Sequence, residues 1–486
     1  MNATETLTKE YTSLLQRQQA FFATGVTLDT AFRRRQLIAL RNALHKHEED
    51  FYYALNADFG KGRFDTYTTE LAPLYGEISW QLRNLKRNAK TSRISCNLAN
   101  LPAIFRLQRE PVGCVLTIGA WNYPLHLALM PVVDAIAAGC TVVIKPSELT
   151  ANISKTISWI INETFHESYL HVVEGGAEET NILINLQWDK IFFTGSPRVG
   201  RLVYMSAARN LVPVTLELGG KSPVIVTPHA DLALAARRIA WGKCLNAGQT
   251  CVAPDYLVVH HSVKDELLIL LSKEMSCRHY LPGGEASVNI INDKNFKRLM
   301  QLLIPYSKKG EATAHNAMLP PNDTNIKTLN GSILCGGTGN AATRSIAPTL
   351  VEGVLWDDPI MQEEIFGPIL PVLTYEHWDE TLERIALQER PLSAYLFSNN
   401  RSEQQQFMQT LHFGGGCIND VMMHLTNPAA PFGGIGNSGI GSYHGKHGFL
   451  CFTHEKTIMK KPRLEFPLKY PPYGNLKIKL IKRILK

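Results

Sequence analysis

The sequence predicts an α/β protein of two layered domains followed by a glycine-rich segment, and three observations carry that reading. The first 90 residues have helical texture, short apolar runs alternate with helical patterns from Arg106 onward, and residues 411–458 are dense in glycine. Apolar runs separated by helical segments mark parallel strand–helix–strand units, whose strands are buried on both faces. In chain order, Phe32–Glu49 is one run of good helix formers, with Phe32, Leu37, Leu40 and Leu44 at helical spacing. Strands are predicted at Val112–Ile118, Thr141–Ile144, His171–Val173, Lys190–Phe193 and Val214–Glu217, which together make a doubly wound sheet of the nucleotide-binding kind. A second alternating region over 222–410 offers Pro223–Val226, Tyr256–His260, Ala347–Leu350 and Ile369–Leu373, and predicts a second α/β domain. Gly414–Gly416 and Phe432–Gly441 are too glycine-rich for regular structure and imply close backbone approaches.

Composition narrows the function classes. With 486 residues, 45% hydrophobic and 19% charged, the chain is globular and long enough for about three structural units, which excludes a disordered chain or a small binding module. The net charge of +7 does not point to nucleic acid: residues 459–486 hold nine Lys/Arg and one acidic residue, and the other 458 are balanced. Nine cysteines lie scattered without CxxC or other metal-ligand spacing, which predicts reduced thiols in a cytosol and no metal site. The polar first 25 residues predict no secretory signal, and no window approaches the roughly 20 apolar residues of a membrane span. The expected location is cytoplasmic.

Six short motifs carry chemistry. Asn246-Ala-Gly-Gln-Thr-Cys251 sets a thiol behind a glycine turn, where backbone amides can face the sulfur; Cys251 is a candidate nucleophile or a small core residue. Thr215-Leu-Glu-Leu-Gly-Gly-Lys221 puts Glu217 at an apolar strand end. There it either pairs with a cation or, unpaired, gains a pKa suited to proton abstraction. Gly119-Ala-Trp-Asn-Tyr-Pro124 follows a strand, so Asn122 is either an oxyanion donor or a turn residue. Ile144-Lys-Pro-Ser-Glu148 offers Lys145 and Glu148 to a ribose, or is a helix start capped by Ser147. Phe193-Thr-Gly-Ser-Pro-Arg-Val-Gly200 runs from strand into helix, where amides can meet a phosphate, although Gly195 and Gly200 do not form a three-glycine fingerprint. In Glu364-Ile-Phe-Gly-Pro368, Glu364 accepts ribose hydroxyls or forms a surface pair.

The order and spacing of these motifs, with Glu217 and Cys251 34 positions apart, resemble the aldehyde dehydrogenases over residues 10–475. Asn246–Tyr256 and Pro431–Gly445 are similar to the class 3 branch, which includes fatty-aldehyde and aromatic-aldehyde enzymes. The resemblance implies a Rossmann-like cofactor domain (1–91 and 115–219) and a second α/β catalytic domain (220–413). It adds a small β-rich bridging and oligomerisation segment (92–114 and 414–458), a basic tail (459–486) and a homodimer. It makes Cys251 the nucleophile, Glu217 the base for the deacylating water, and Asn122 with the Cys251 amide the oxyanion holders. Lys145 and Glu148 fall at the adenine-side ribose, Gly195, Ser196 and Gly200 near the cofactor, and Glu364 with Phe366 at the nicotinamide ribose. Aldehydes, of medium or long aliphatic chain or aromatic, then pass through a cysteine thiohemiacetal and thioester to acids. NAD is the expected cofactor because Glu148 repels a 2′-phosphate, with NADP also open. Two alternatives stand beside this: a coenzyme A-acylating enzyme, whose relatives generally lack the glutamate, and a non-catalytic member with a binding role.

In the tail, Leu476, Leu480, Ile481, Ile484 and Leu485 share one side of a predicted helix, and Lys479, Lys482, Arg483 and Lys486 the other. Its apolar face is expected to dock on the protein itself or on a dimer partner, or to bind the inner face of an anionic membrane peripherally.

Overall fold

The computed structural model describes residues 3–307, 329, 331–464 and 470–484. Helices Ala3–Ala23, Thr30–Lys46, Glu48–Phe59 and Ala72–Ala89 dominate the amino-terminal part. The run predicted as one helix over Phe32–Glu49 is two, because His47 leaves helical geometry (φ −112°, ψ 24°). Glu48, Glu49 and Asp50 then open the next helix, where the helix dipole favours acidic side chains.

The first sheet has the spatial order Gly439–Ile440, Val214–Glu217, Lys190–Thr194, Cys114–Ile118, Thr141–Lys145, Leu170–Val172. All neighbours are parallel except the Gly439–Ile440 edge. The chain steps outward from Cys114–Ile118 through two strands, then returns to its other side with Lys190–Thr194. The winding therefore reverses between these two strands, and a crevice opens at their carboxyl ends. The helix Pro124–Ala138 is almost wholly buried, as its apolar residues on every face require. The first strand begins at Cys114, two residues later than predicted, because Gly113 (φ 135°) breaks it from Ile104–Pro111.

The second sheet runs Ser332–Cys335, Thr349–Glu352, Ile369–Tyr375, Tyr256–His260, Pro223–Val226, Ser393–Phe397, Gly415–Ile418, and only the first pair is antiparallel. Thr349–Glu352 starts two residues beyond the predicted Ala347, because Pro348 has no N–H for the ladder. The expectation that Gly414–Gly416 lacks regular structure is overturned: Gly415–Ile418 is an edge strand. Its glycines serve close approach, since a Cβ on Gly416 would lie 2.2 Å from the Ala394 carbonyl oxygen. A third, antiparallel sheet joins Ser92–Ile94, Ile104–Pro111 and Thr453–Lys460. Residues 414–458 thus supply a strand to each of these three sheets, and only the two-stranded ribbon Gly339–Asn340/Ser345–Ile346, among the described residues, takes none from them.

The tail forms the helix Asn475–Ile484, with Leu485 and Lys486 outside the described residues. Leu476 is 85% and Leu480 45% exposed, so these two side chains of the apolar face do not dock on the described residues of the chain. No described helix is long and apolar enough to cross a membrane.

Candidate active site

Register brings the motifs together. Ile118 pairs with Lys145 and Thr194 with Glu217, so the loops carrying Asn122, Glu148, Ser196 and Gly219 leave one carboxyl edge of the first sheet. Asn122 is buried; its Nδ2 donates to the Gln249 carbonyl (3.1 Å), and its own carbonyl accepts from Asn246 Nδ2 (2.9 Å). The local-turn alternative fails, because both groups bind the Cys251 loop. An amide nitrogen carries two hydrogens, so one remains for a ligand.

The Cys251 loop turns left-handed before it reaches the thiol. Asn246, Ala247 and Gly248 have φ of 52°, 53° and 69°, a region that costs the two non-glycine residues about 1–3 kcal/mol each. Gln249, fully buried, holds the turn: Nε2 donates to the Asn246 and Asn289 carbonyls, and Oε1 accepts from Ile291 N–H. Thr250 Oγ1 lies 2.6 Å from the Tyr123 hydroxyl. The Cys251 and Val252 amides pull the thiol pKa down, but burial outweighs them, and with Glu364 and Glu217 nearby the thiol is pushed up to about 12. Cys251 therefore rests as the protonated thiol and requires a base.

Glu217 ends its strand between Thr194 and Gly439, its carbonyl accepting from Gly195 N–H (3.0 Å). It is 3% exposed, and neither carboxylate oxygen has a hydrogen-bond partner among the described residues. Burial alone raises its carboxyl well above the usual range. The paired alternative fails because Lys221 is engaged elsewhere, by Asp255 Oδ2 (2.5 Å) and the Ile360 and Glu363 carbonyls.

That Lys221–Asp255 clamp draws the Glu364 segment against the first sheet, with Asp255 Oδ1 accepting from Ile365 N–H (2.9 Å). A Cβ on Gly219 would lie 2.2 Å from Glu364 Oε2, so glycine is what admits the carboxylate. Burial, then Asp255, pushes Glu364 up to about 8. The surface pair belongs instead to Glu363, 3.0 Å from Arg298. Phe366 (φ 50°) sets its ring edge-on to Trp121 at 5.2 Å.

Lys145 is buried, donating to the Pro146 carbonyl (2.7 Å) 3.9 Å from the half-exposed Glu148 carboxylate, and burial lowers its pKa. Ser147 does not cap the next helix, Ala151–Thr164; Asp58 does, accepting from Asn152 and Ile153 N–H. Ser196 caps Pro197–Arg209 through Val199 N–H, and Gly200 packs against Leu218. Two ribose-type acceptors, a buried cation and a helix amino end along one crevice fit a dinucleotide. No described cluster could hold a metal ion. Sequence reasoning missed the supports, Tyr123, Asn246, Gln249, Thr250 and Asp255; the signal was a polar run, Asn-Ala-Gly-Gln-Thr, between buried apolar segments.

Comparisons agree with this geometry. The aldehyde dehydrogenase family model matches residues 8–458. The chain is 46% identical over 472 residues to the 4,4'-diaponeurosporen-aldehyde dehydrogenase of Staphylococcus aureus, covering 96% of this chain and 97% of that protein. It is 38% identical to the dimeric NADP-preferring aldehyde dehydrogenase of Canis lupus familiaris, covering 94% and 97%. The solved substrate-bound structure of Staphylococcus aureus AldH superposes with a TM-score of 0.90 at 44% identity, covering 100% of both chains. Two parallel sheets with their loops converging on one crevice, and a family match over nearly the whole chain, lead to one assignment: the chain belongs to the aldehyde dehydrogenase family and oxidises aldehydes with NAD(P).

Proposed function

We propose that Cys251 is the nucleophile, that Asn122 and the Cys251 amide hold the oxyanion, and that Glu217 is the base of the hydrolytic half. The observation that carries this reading is Glu217 itself, a buried carboxylate without a hydrogen-bond partner among the described residues, acting electrostatically on the thiol. Once its proton has passed to a base from solvent, Cys251 sulfur bonds to the aldehyde carbon and the carbonyl oxygen becomes an oxyanion facing the free Asn122 N–H. NAD(P), when bound along Lys145, Glu148, Gly195, Ser196, Gly200, Glu364 and Phe366, supplies the two-electron oxidant that leaves a thioester on Cys251. Glu217 takes a proton from water, the hydroxide oxygen bonds to the thioester carbon, the carbon–sulfur bond breaks, and the acid leaves. Retention of Glu217 favours water over coenzyme A as acyl acceptor.

Trp121, stacked on Phe59 and edge-on to Phe366, puts an aromatic wall beside Asn122 and favours medium or long-chain aliphatic or aromatic aldehydes. Kinetics on short, long-chain and aromatic aldehydes, each with NAD and NADP, tests this; a preference for short polar aldehydes overturns it. NAD is the preferred cofactor, because a half-exposed Glu148 beside a ribose repels a 2′-phosphate. Glu148→Ala is expected to shift the NADP/NAD ratio of kcat/KM upward by about tenfold, the effect of removing one like-charge contact. An unchanged ratio removes Glu148 from the ribose.

The partner surfaces extend this reading. The Pro197–Arg209 helix exposes Leu202, Tyr204 and Met205, which suits a homodimer. The Asn475–Ile484 helix, carrying Lys477, Lys479, Lys482 and Arg483 and no acidic residue, suits the surface of an anionic bilayer from the cytoplasmic side. Each basic residue there contributes about 1 kcal/mol. Salt-sensitive binding to phosphatidylserine vesicles, lost on deleting 475–486, is the expected result. Equal binding by the truncated chain, or no binding by the full chain, excludes this helix as a bilayer contact.

A further inference from the structure

A buried ion pair outside the reacting groups reaches the oxyanion loop. Lys61 Nζ and Glu70 Oε1 lie 2.8 Å apart with both side chains almost fully excluded from solvent. Glu70 sits in a π-helical turn, Tyr67–Leu71, that turns it and Leu71 inward. Its other oxygen, Oε2, accepts from His126 N–H at 2.9 Å, and Leu125 N–H also stabilises the carboxylate. These are the second and third residues of the helix Pro124–Ala138, which has no side-chain cap of its own, because Tyr123 stands at the capping position and Pro124 has no N–H. A residue more than 50 positions upstream thus caps the helix that begins two residues after Asn122. Lys61 Nζ also lies 4.5 Å from the centre of the Tyr123 ring, whose hydroxyl meets Thr250 Oγ1 beside Cys251.

We propose that Glu70 is a positioning residue for the oxyanion loop and that Lys61 balances its charge while pressing Tyr123 onto the nucleophile loop. The proposal rests on Asn122 and Cys251 having the roles given above. A buried pair contributes little net stability, and a device that holds a donor is worth retaining for another reason, since a small misplacement of a reacting group slows a reaction severely.

The test measures the NADH burst in single-turnover mode, which reports acylation. Both charges are removed together, because a single deletion leaves an uncompensated buried ion. Lys61→Met with Glu70→Leu is expected to slow the burst about tenfold or more, with KM for NAD changed by less than about twofold. Lys61→Met with Glu70→Gln, whose amide oxygen still accepts from His126, is expected to recover most of that loss. In an Asn122→Ala background the Leu variant should add less than about a twofold further loss, because the group it places is gone. Losses that multiply in that background, or equal rates for Leu and Gln in folded proteins, overturn the positioning role while leaving Asn122 its function. An unchanged burst in Asn122→Ala overturns the oxyanion reading and the positioning role with it. If the Leu variant does not fold, Tyr123→Phe carries the test: a burst slowed about threefold or more supports the link to Thr250, and an unchanged burst overturns it.

Discussion

Cys251→Ala is expected to lower aldehyde oxidation by about 10⁴-fold or more while NAD binding stays nearly intact, because the thiol supplies the covalent bond and the cofactor crevice is built from other residues. Rapid-mix NADH detection beside fluorescence titration with NAD separates the two readouts. A variant keeping more than about 1% of the wild-type rate contradicts the nucleophile assignment. The loop's shape gives this prediction its size: Asn246 and Ala247 accept left-handed geometry so that Cys251 meets the crevice at one point, and no other described thiol closely follows a pair of left-handed non-glycine residues.

Glu217→Gln is expected to leave a first burst of NADH and then to stall, with the steady-state rate reduced by about 10²–10⁴-fold, the usual contribution of a general base. Loss of the burst itself would assign Glu217 to deprotonating the thiol, a step that the Cys251 pKa of about 12 makes demanding. Stability supplies an independent check with a definite sign. Burial raises the Glu217 carboxyl above its ordinary 4.5, so its contribution to folding is complete below that value and is lost as pH rises through the folded-state pKa. Gln cannot ionise, and Glu217→Gln should therefore raise Tm at alkaline pH, with the gain vanishing as pH falls towards 4.5. A Tm difference independent of pH would mean that Glu217 is not desolvated in the folded protein.

The sequence was most legible where structure is local. Val214–Glu217, Pro223–Val226 and Tyr256–His260 have the bounds that the sequence predicts, because strands buried on both faces are rich in apolar side chains along their length. Legibility failed at Gly414–Gly416, where glycine reads as irregular, yet the backbone contact with Ala394 makes it the residue that an edge strand needs. It failed again at helix starts whose caps come from afar, Asp58 for the Ala151 helix and Glu70 for the Pro124 helix. A capping search along the chain looks only at adjacent residues.

By itself the sequence determined the α/β class, the residues offered to chemistry and their order, since apolar periodicity and motif spacing are properties of neighbours along the chain. Only the tertiary structure decided which alternative each residue takes. Glu217 has no partner among the described residues because Lys221 is drawn to Asp255, and Asn122 serves the Cys251 loop because Gln249 and Asn246 meet it across more than 120 positions. On the tail's apolar face Leu476 and Leu480 stay uncovered by the described residues although the amphipathic pattern was plain. The physical reason is common to all three: a charge, a donor or an apolar face is defined by its sequence, but its partner and its desolvation are set by whatever the fold brings beside it.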